Sequence, residues 1–166
     1  MEKDEKGKPY LAGYPHIHIS ISHSGPYIAC AFGDKPVGVD VEMWKAHPKW
    51  RRIVDKLHPR EREELLQSCG GTISGDTEEP VREFCGLWVR KESFLKAIGE
   101  GLRVPLDAFD TTGEWVSRSF RRSGGGAGST SRRKAAVWRS VWSETIGRSR
   151  IFLWSFKMRN LSMGTD

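Results

Sequence analysis

Val37-Gly38-Val39-Asp40-Val41-Glu42 alternates valines with other residues at the period of a β-strand, so it predicts one strand of a sheet. The three valines would face the core, and Asp40 and Glu42 would then share the opposite face. Two neighbouring carboxylates repel each other unless a cation neutralises them, and a hard divalent ion with oxygen ligands is the usual partner. A solvated strand face explains the same pattern without any chemistry.

Two further strands are predicted before this stretch. Residues 16–23 alternate polar and apolar side chains, with three isoleucines toward the core and His16, His18, Ser20 and Ser22 on the other face. Residues 27–32 form the next candidate, and the turn residues 33–36 lead into the Val37 strand, so the three strands predict a meander. His23 stands at a strand end among small hydroxyl residues, where it would serve either as a phosphate contact or as an ordinary surface histidine.

Helical patterns follow the third strand. They cover about residues 48–57, residues 59–67 with Pro59 at a first helical position, and residues 81–98, whose apolar residues form one broad face. Residues 70–80 between them are polar and predict a loop. Glu92 and Lys96 lie one turn apart on the last helix, a spacing that also fits a simple exposed ion pair.

The chain has 166 residues and a net charge of +6, enough length for one main unit with a hydrophobic core. From Ser117 onward eleven basic residues face two acidic ones, so the tail carries +9 and residues 1–116 carry −3. Residues 123–131 are a glycine and serine stretch typical of a flexible linker. The three cysteines are widely spaced and predict free thiols, and no apolar stretch is long enough for a membrane span, so we expect a cytoplasmic protein.

Four segments, taken in order, resemble the 4′-phosphopantetheinyl transferase family in its two-lobed type. They are Gly7-Lys8-Pro9, Ser20-Ile21-Ser22-His23-Ser24, Gly38-Val39-Asp40-Val41-Glu42 and Trp88-Val89-Arg90-Lys91-Glu92-Ser93-Phe94-Leu95-Lys96. The most specific pattern is G-[VI]-D followed tens of residues later by W-x-x-K-E-[SA]-x-x-K, and both parts are complete here. The resemblance covers about residues 7–109. It implies an α+β fold, the α/β lobe of that family, with an antiparallel sheet packed against helices and the second pseudo-symmetric lobe largely absent.

The resemblance also implies a reaction and a set of site residues. The reaction is Mg²⁺-dependent transfer of 4′-phosphopantetheine from coenzyme A to a serine of an acyl or peptidyl carrier protein, in lysine, fatty-acid or polyketide biosynthesis. The implied metal ligands are Asp40, Glu42 and Glu92. The implied catalytic residues are Glu92, Lys96 and Asp40. The implied coenzyme A contacts are Lys8, Pro9, Ser20, Ser22, His23, Lys91 and Lys96.

We expect four regions from this resemblance and from composition. Residues 1–36 would be the end of a first lobe with coenzyme A contacts, 37–116 the main metal- and phosphate-binding lobe, 117–134 a flexible basic linker, and 135–166 a tail of uncertain structure. Two alternatives to the enzyme stay open. One is a non-catalytic fragment that binds coenzyme A or a carrier protein. The other is a nucleic-acid-binding protein acting through the basic tail, an alternative that explains the tail only. No membrane partner is expected.

Overall fold

A computed structural model describes residues 1–43, 50–73 and 78–113, together with the backbone of four later strands. The strands are β1 (Glu2–Lys3), β2 (Pro9–Tyr10), β3 (His18–Ser24), β4 (Tyr27–Gly33), β5 (Val37–Met43), β6 (Phe109–Asp110), β7 (Trp115–Arg118), β8 (Arg133–Ala136), β9 (Trp142–Ile146) and β10 (Ser149–Lys157). The helices are α1 (Trp50–Val54), α2 (Pro59–Ser68) and α3 (Glu78–Ile98). Antiparallel sheets packed against helices confirm the predicted α+β class.

The β3–β4 hairpin forms as the sequence predicts. Ser24 pairs with Tyr27, which leaves Gly25 and Pro26 as a two-residue turn. Gly25 has φ +57°, a conformation that glycine adopts without strain at the first turn position, and proline supplies the negative φ at the second. The hairpin extends through β2 and β1 into a four-stranded sheet in the order β1-β2-β3-β4.

The predicted meander is wrong at β5. This strand leaves the hairpin sheet and pairs along its whole length with β10, in the second sheet β5-β10-β9. Toward the hairpin, β5 is held by serine hydroxyls of β3 instead of by backbone pairing with β4. Val39 N–H donates to Ser20 Oγ at 3.0 Å, and Met43 N–H donates to Ser24 Oγ at 3.0 Å. Residue alternation identifies a strand but not its partner, and the expected order failed for that reason.

Helix α3 packs against β5 with very close backbone contact at Gly38. A Cβ atom there would lie 1.9 Å from Ser93 O and 2.5 Å from Ala97 N, so only glycine fits. The predicted apolar face of α3 is buried at Val81, Phe84, Leu87, Phe94 and Leu95. The helix begins at Glu78, inside the segment predicted as a loop, and ends before Gly99, whose φ is +71°.

Helix α2 begins as predicted, with Pro59 in its first turn. His58 caps it, and the Glu61 side chain accepts a hydrogen bond from the His58 N–H, which completes a reciprocal cap. The core then divides into one cluster around Trp50, Leu65 and Phe84 and another around Phe94 and Phe109.

Three smaller predictions can be compared with the described residues. The three cysteines are free, as expected. Among the described helices none is long and apolar enough to cross a bilayer. Most of the predicted linker at 117–134 lies outside the described residues, whereas the tail contributes β9 and β10 to the second sheet.

Candidate active site

Asp40 of β5 lies at the meeting point of three elements. Its carboxylate is buried, and Oδ1 accepts hydrogen bonds from Ser22 Oγ of β3 at 2.7 Å and from Lys96 Nζ of α3 at 2.6 Å. The other oxygen, Oδ2, is also buried and has no hydrogen-bond partner among the described residues. An unpaired buried carboxylate oxygen is costly for folding, so this atom is a candidate ligand for a cation.

A row of serines on β3 holds β5 in place. Ser20 accepts from the backbone of Val39, Ser22 donates to Asp40, and Ser24 Oγ donates to Glu42 Oε2 at 3.1 Å. Ser20 and Ser22 are on the side opposite the isoleucines, as predicted, but that side is covered by β5 and is buried. The S-x-S-x-S spacing was visible in the sequence, and its role in binding a neighbouring strand was missed.

Glu92 of α3 shares the electrostatic environment of these two acids. Burial raises the pKa of Glu92 to about 7, and the negative charges of Asp40 and Glu42 act in the same direction while Lys96 opposes them. The charges of Asp40 and Glu42 therefore reach Glu92, as expected of three carboxylates that could ligate a hard divalent cation. In the described ranges, however, no three His, Cys, Asp or Glu side chains are already close enough together to hold a metal ion.

A cleft of about 190 Å³ lies beside these residues. It is formed by the start of the chain, by β3 and by the end of α3, and five of the predicted site residues line it. These are Lys8, Pro9, Ser20, Glu92 and Lys96. Lys6 also lines the cleft, so three lysine side chains border one small space, where their positive charge would favour an anionic ligand. The ammonium groups of Lys6 and Lys96 are paired with Glu100 and Asp40.

Lys8 is held against the end of α3. Its Nζ donates to the carbonyl of Lys96 at 2.8 Å and to that of Ala97, two groups at the negative end of the helix. Burial lowers the pKa of Lys8, and the charge of Asp4 opposes that effect. The side chain thus joins the N-terminal segment to the helix that carries Glu92 and Lys96.

Three predicted coenzyme A contacts, Ser22, His23 and Lys91, do not line the cleft. Ser22 is buried and donates to Asp40. His23 is exposed near the end of β3. Lys91 is fully buried on another side of α3, where its Nζ contacts Glu61 Oε2 at 2.7 Å. A phosphate cannot reach an ammonium that is enclosed in this way, so we correct the expectation for Lys91. Glu61, its buried partner, was not among the predicted site residues.

Comparison with known proteins gives a consistent result. A family model described as the 4′-phosphopantetheinyl transferase superfamily matches residues 36–145. The chain is 39% identical over 106 residues to the 4′-phosphopantetheinyl transferase Sfp of Bacillus subtilis strain 168, covering 63% of this chain and 43% of that protein. It is 32% identical over 119 residues to the 4′-phosphopantetheinyl transferase gsp of Aneurinibacillus migulanus, covering 72% and 44%.

The chain is also similar to a vertebrate protein. The chain is 33% identical over 118 residues to the L-aminoadipate-semialdehyde dehydrogenase-phosphopantetheinyl transferase of Pongo abelii, covering 66% of this chain and 38% of that protein. The chain therefore spans less than half the length of these curated relatives.

Proposed function

This chain belongs to the 4′-phosphopantetheinyl transferase superfamily, and we propose that it transfers the 4′-phosphopantetheine group of coenzyme A to a serine of an acyl or peptidyl carrier protein. One observation carries the proposal. Asp40 from β5 and Lys96 from α3 are bonded to each other beside a cleft that Glu92 and the Lys8-Pro9 segment also line. Strand, helix and N-terminal segment thus bring acidic and basic groups to one anion-sized space.

The donor chemistry of the site fits Mg²⁺, with Asp40, Glu42 and Glu92 as the residues that would hold it. The fit rests on the unpartnered Oδ2 of Asp40 and on the electrostatic coupling of Glu92 to the other two acids. When bound, the ion would supply positive charge to the pyrophosphate of coenzyme A.

The lysines and Glu92 then have separate roles. Lys96 and Lys8 would bind phosphate oxygens and stabilise the negative charge of the transferring group. Glu92 would accept the proton of the carrier serine hydroxyl as its oxygen bonds to the β-phosphorus and adenosine 3′,5′-bisphosphate leaves. Without a metal, burial raises the pKa of Glu92 to about 7, and a bound cation would favour the carboxylate form that a general base needs.

The carrier protein would come from one of several biosynthetic systems. The names of the relatives cover general phosphopantetheinyl transferases and one that acts with L-aminoadipate-semialdehyde dehydrogenase. Carriers from fatty-acid, polyketide, peptide and aminoadipate systems are therefore all candidate substrates. The basic tail, with its net +9, would favour an acidic carrier.

Mass spectrometry of apo carrier proteins tests the proposal directly. We expect a phosphopantetheine adduct on one serine after incubation with coenzyme A and Mg²⁺, and no adduct with EDTA. Asp40→Asn should abolish the adduct, and the exposed-site variant Glu79→Gln should keep it. Coenzyme A binding without any adduct across the four carrier classes would instead favour the non-catalytic alternative, and loss of both would refute the proposal.

A further inference from the structure

Lys91 is the most completely buried cation of the described residues. Its Nζ contacts Glu61 Oε2 at 2.7 Å and donates to two backbone carbonyls, those of Leu106 at 2.6 Å and Phe109 at 2.9 Å. The same atom lies 3.8 Å from the centre of the Phe109 ring. An ammonium group has three donors, so each of them has a partner inside the protein.

Glu61 is as deeply enclosed and is also fully used. Oε2 accepts from the His58 N–H at 3.2 Å as well as contacting Lys91. Oε1 accepts from the Thr111 N–H at 2.9 Å and from its hydroxyl at 2.7 Å. The pair therefore joins the first turn of α2, the middle of α3 and the segment from Leu106 to Thr111.

The position of this cluster along α3 relates it to the cleft. Lys91 immediately precedes Glu92, which lines the cleft, and Lys96 follows five residues later. Successive side chains on a helix point about 100° apart, so rotating or shifting α3 at Lys91 would move both cleft residues. Apolar packing allows small shifts of a helix, whereas a fully satisfied polar cluster tolerates few alternative positions.

We propose that Lys91 is a positioning residue, whose contacts with Glu61 and the Leu106 and Phe109 carbonyls fix the placement from which Glu92 and Lys96 face the cleft. The inference rests on the proposed function, and it gives Lys91 a role other than phosphate binding. A phosphate ligand would need at least one free donor directed at the cleft, and Lys91 has none there.

The test uses a paired variant, because removing one partner leaves the other charge buried and risks unfolding. Lys91→Met and Glu61→Gln are made singly and together. We expect each single variant to lower the melting temperature more than the paired variant does. If the decrease in melting temperature of the paired variant equalled the sum of the two single decreases, Lys91 and Glu61 would not be coupled and the inference would be overturned.

Coenzyme A affinity and turnover then separate positioning from ligand binding. In the paired variant we expect kcat to fall at least about tenfold and the Kd for coenzyme A to rise by no more than about threefold, because Lys96 is displaced but keeps its charge. Lys96→Met, the same substitution at a cleft lysine, should raise that Kd by about tenfold or more. A comparable rise in the paired variant would identify Lys91 as a phosphate ligand, and an unchanged kcat would remove the positioning role.

Failure of the proposed function would be recognised separately. It would appear as absence of both coenzyme A binding and transfer in the unaltered protein. Amide hydrogen exchange would then decide the inference, since the paired variant should exchange faster over residues 88–96 than the unaltered protein does. Equal exchange there would overturn the positioning role.

Discussion

At the scale of single residues, the site is built from groups that are unfavourable for folding. Asp40 has one oxygen with two donors and another with none, and burial disfavours ionisation of Glu92. Such groups persist where function requires them, and the rest of the fold must compensate. Removing the charge of Glu92 should therefore lower activity while raising stability at neutral pH.

Glu92→Gln is the variant that tests this trade-off. The folded pKa of Glu92, about 7, lies above its ordinary value of 4.5. Its contribution to stability is therefore fully present below pH 4.5 and is lost as the pH rises through 7. Glutamine avoids that loss. The difference in unfolding free energy between the variant and the unaltered protein should therefore favour the variant by on the order of 1–3 kcal/mol more at pH 8 than at pH 5, and transfer should be abolished.

Urea unfolding at pH 5 and pH 8, with EDTA present, measures the effect. Glu79→Gln is the matched control, because Glu79 lies in the first turn of the same helix with its side chain exposed. If the difference in unfolding free energy between Glu92→Gln and the unaltered protein were the same at both pH values, the burial of Glu92 would be contradicted.

At the scale of elements, the contact between β5 and α3 determines whether Asp40 and Lys96 can meet. Gly38→Ala should destabilise the protein by at least about 2 kcal/mol, because the new Cβ would collide with backbone atoms that cannot rotate away. Separation of β5 from α3 should also lengthen the Asp40–Lys96 contact and lower transfer.

Gly13→Ala provides the control for Gly38→Ala. A Cβ at Gly13 meets nothing within 4 Å, so that change should be neutral or stabilising by up to about 1 kcal/mol. Thermal unfolding of both variants is the measurement. Equal stability of the two would show that β5 and α3 are not in close contact at Gly38.

The elements also show what the sequence could predict. The β3–β4 hairpin and α2 depend on local signals, a Gly-Pro turn and a proline at a helix start, and both were predicted. The partner of β5 depends on residues more than a hundred positions away and was predicted wrongly. Lys91 shows the same limit, because its position within W-x-x-K-E does not reveal that Glu61 and two distant carbonyls enclose it.

At the scale of the whole molecule, β10 connects the end of the chain to the candidate site. Trp154 is the Cα partner of Asp40 in the β5–β10 register. The basic tail is thus partly a component of the sheet that carries Asp40. This placement gives part of the tail a structural role that needs no nucleic-acid partner. It also predicts that a substitution that disrupts β10 will disturb Asp40 and the cleft beside it.

Ile151→Pro tests that connection. Ile151 pairs with Met43 of β5 on one side and with Glu144 of β9 on the other, so its N–H belongs to a central strand. Proline removes that donor and leaves a carbonyl partner unpaired, which should cost about 2–3 kcal/mol and reduce both coenzyme A binding and transfer. Ile151→Val keeps the N–H and the β-branched side chain, so it should remain close to the unaltered protein in melting temperature and coenzyme A affinity. If proline at this position left melting temperature and coenzyme A affinity unchanged, β10 would not stabilise β5, and the tail would have no structural effect on Asp40.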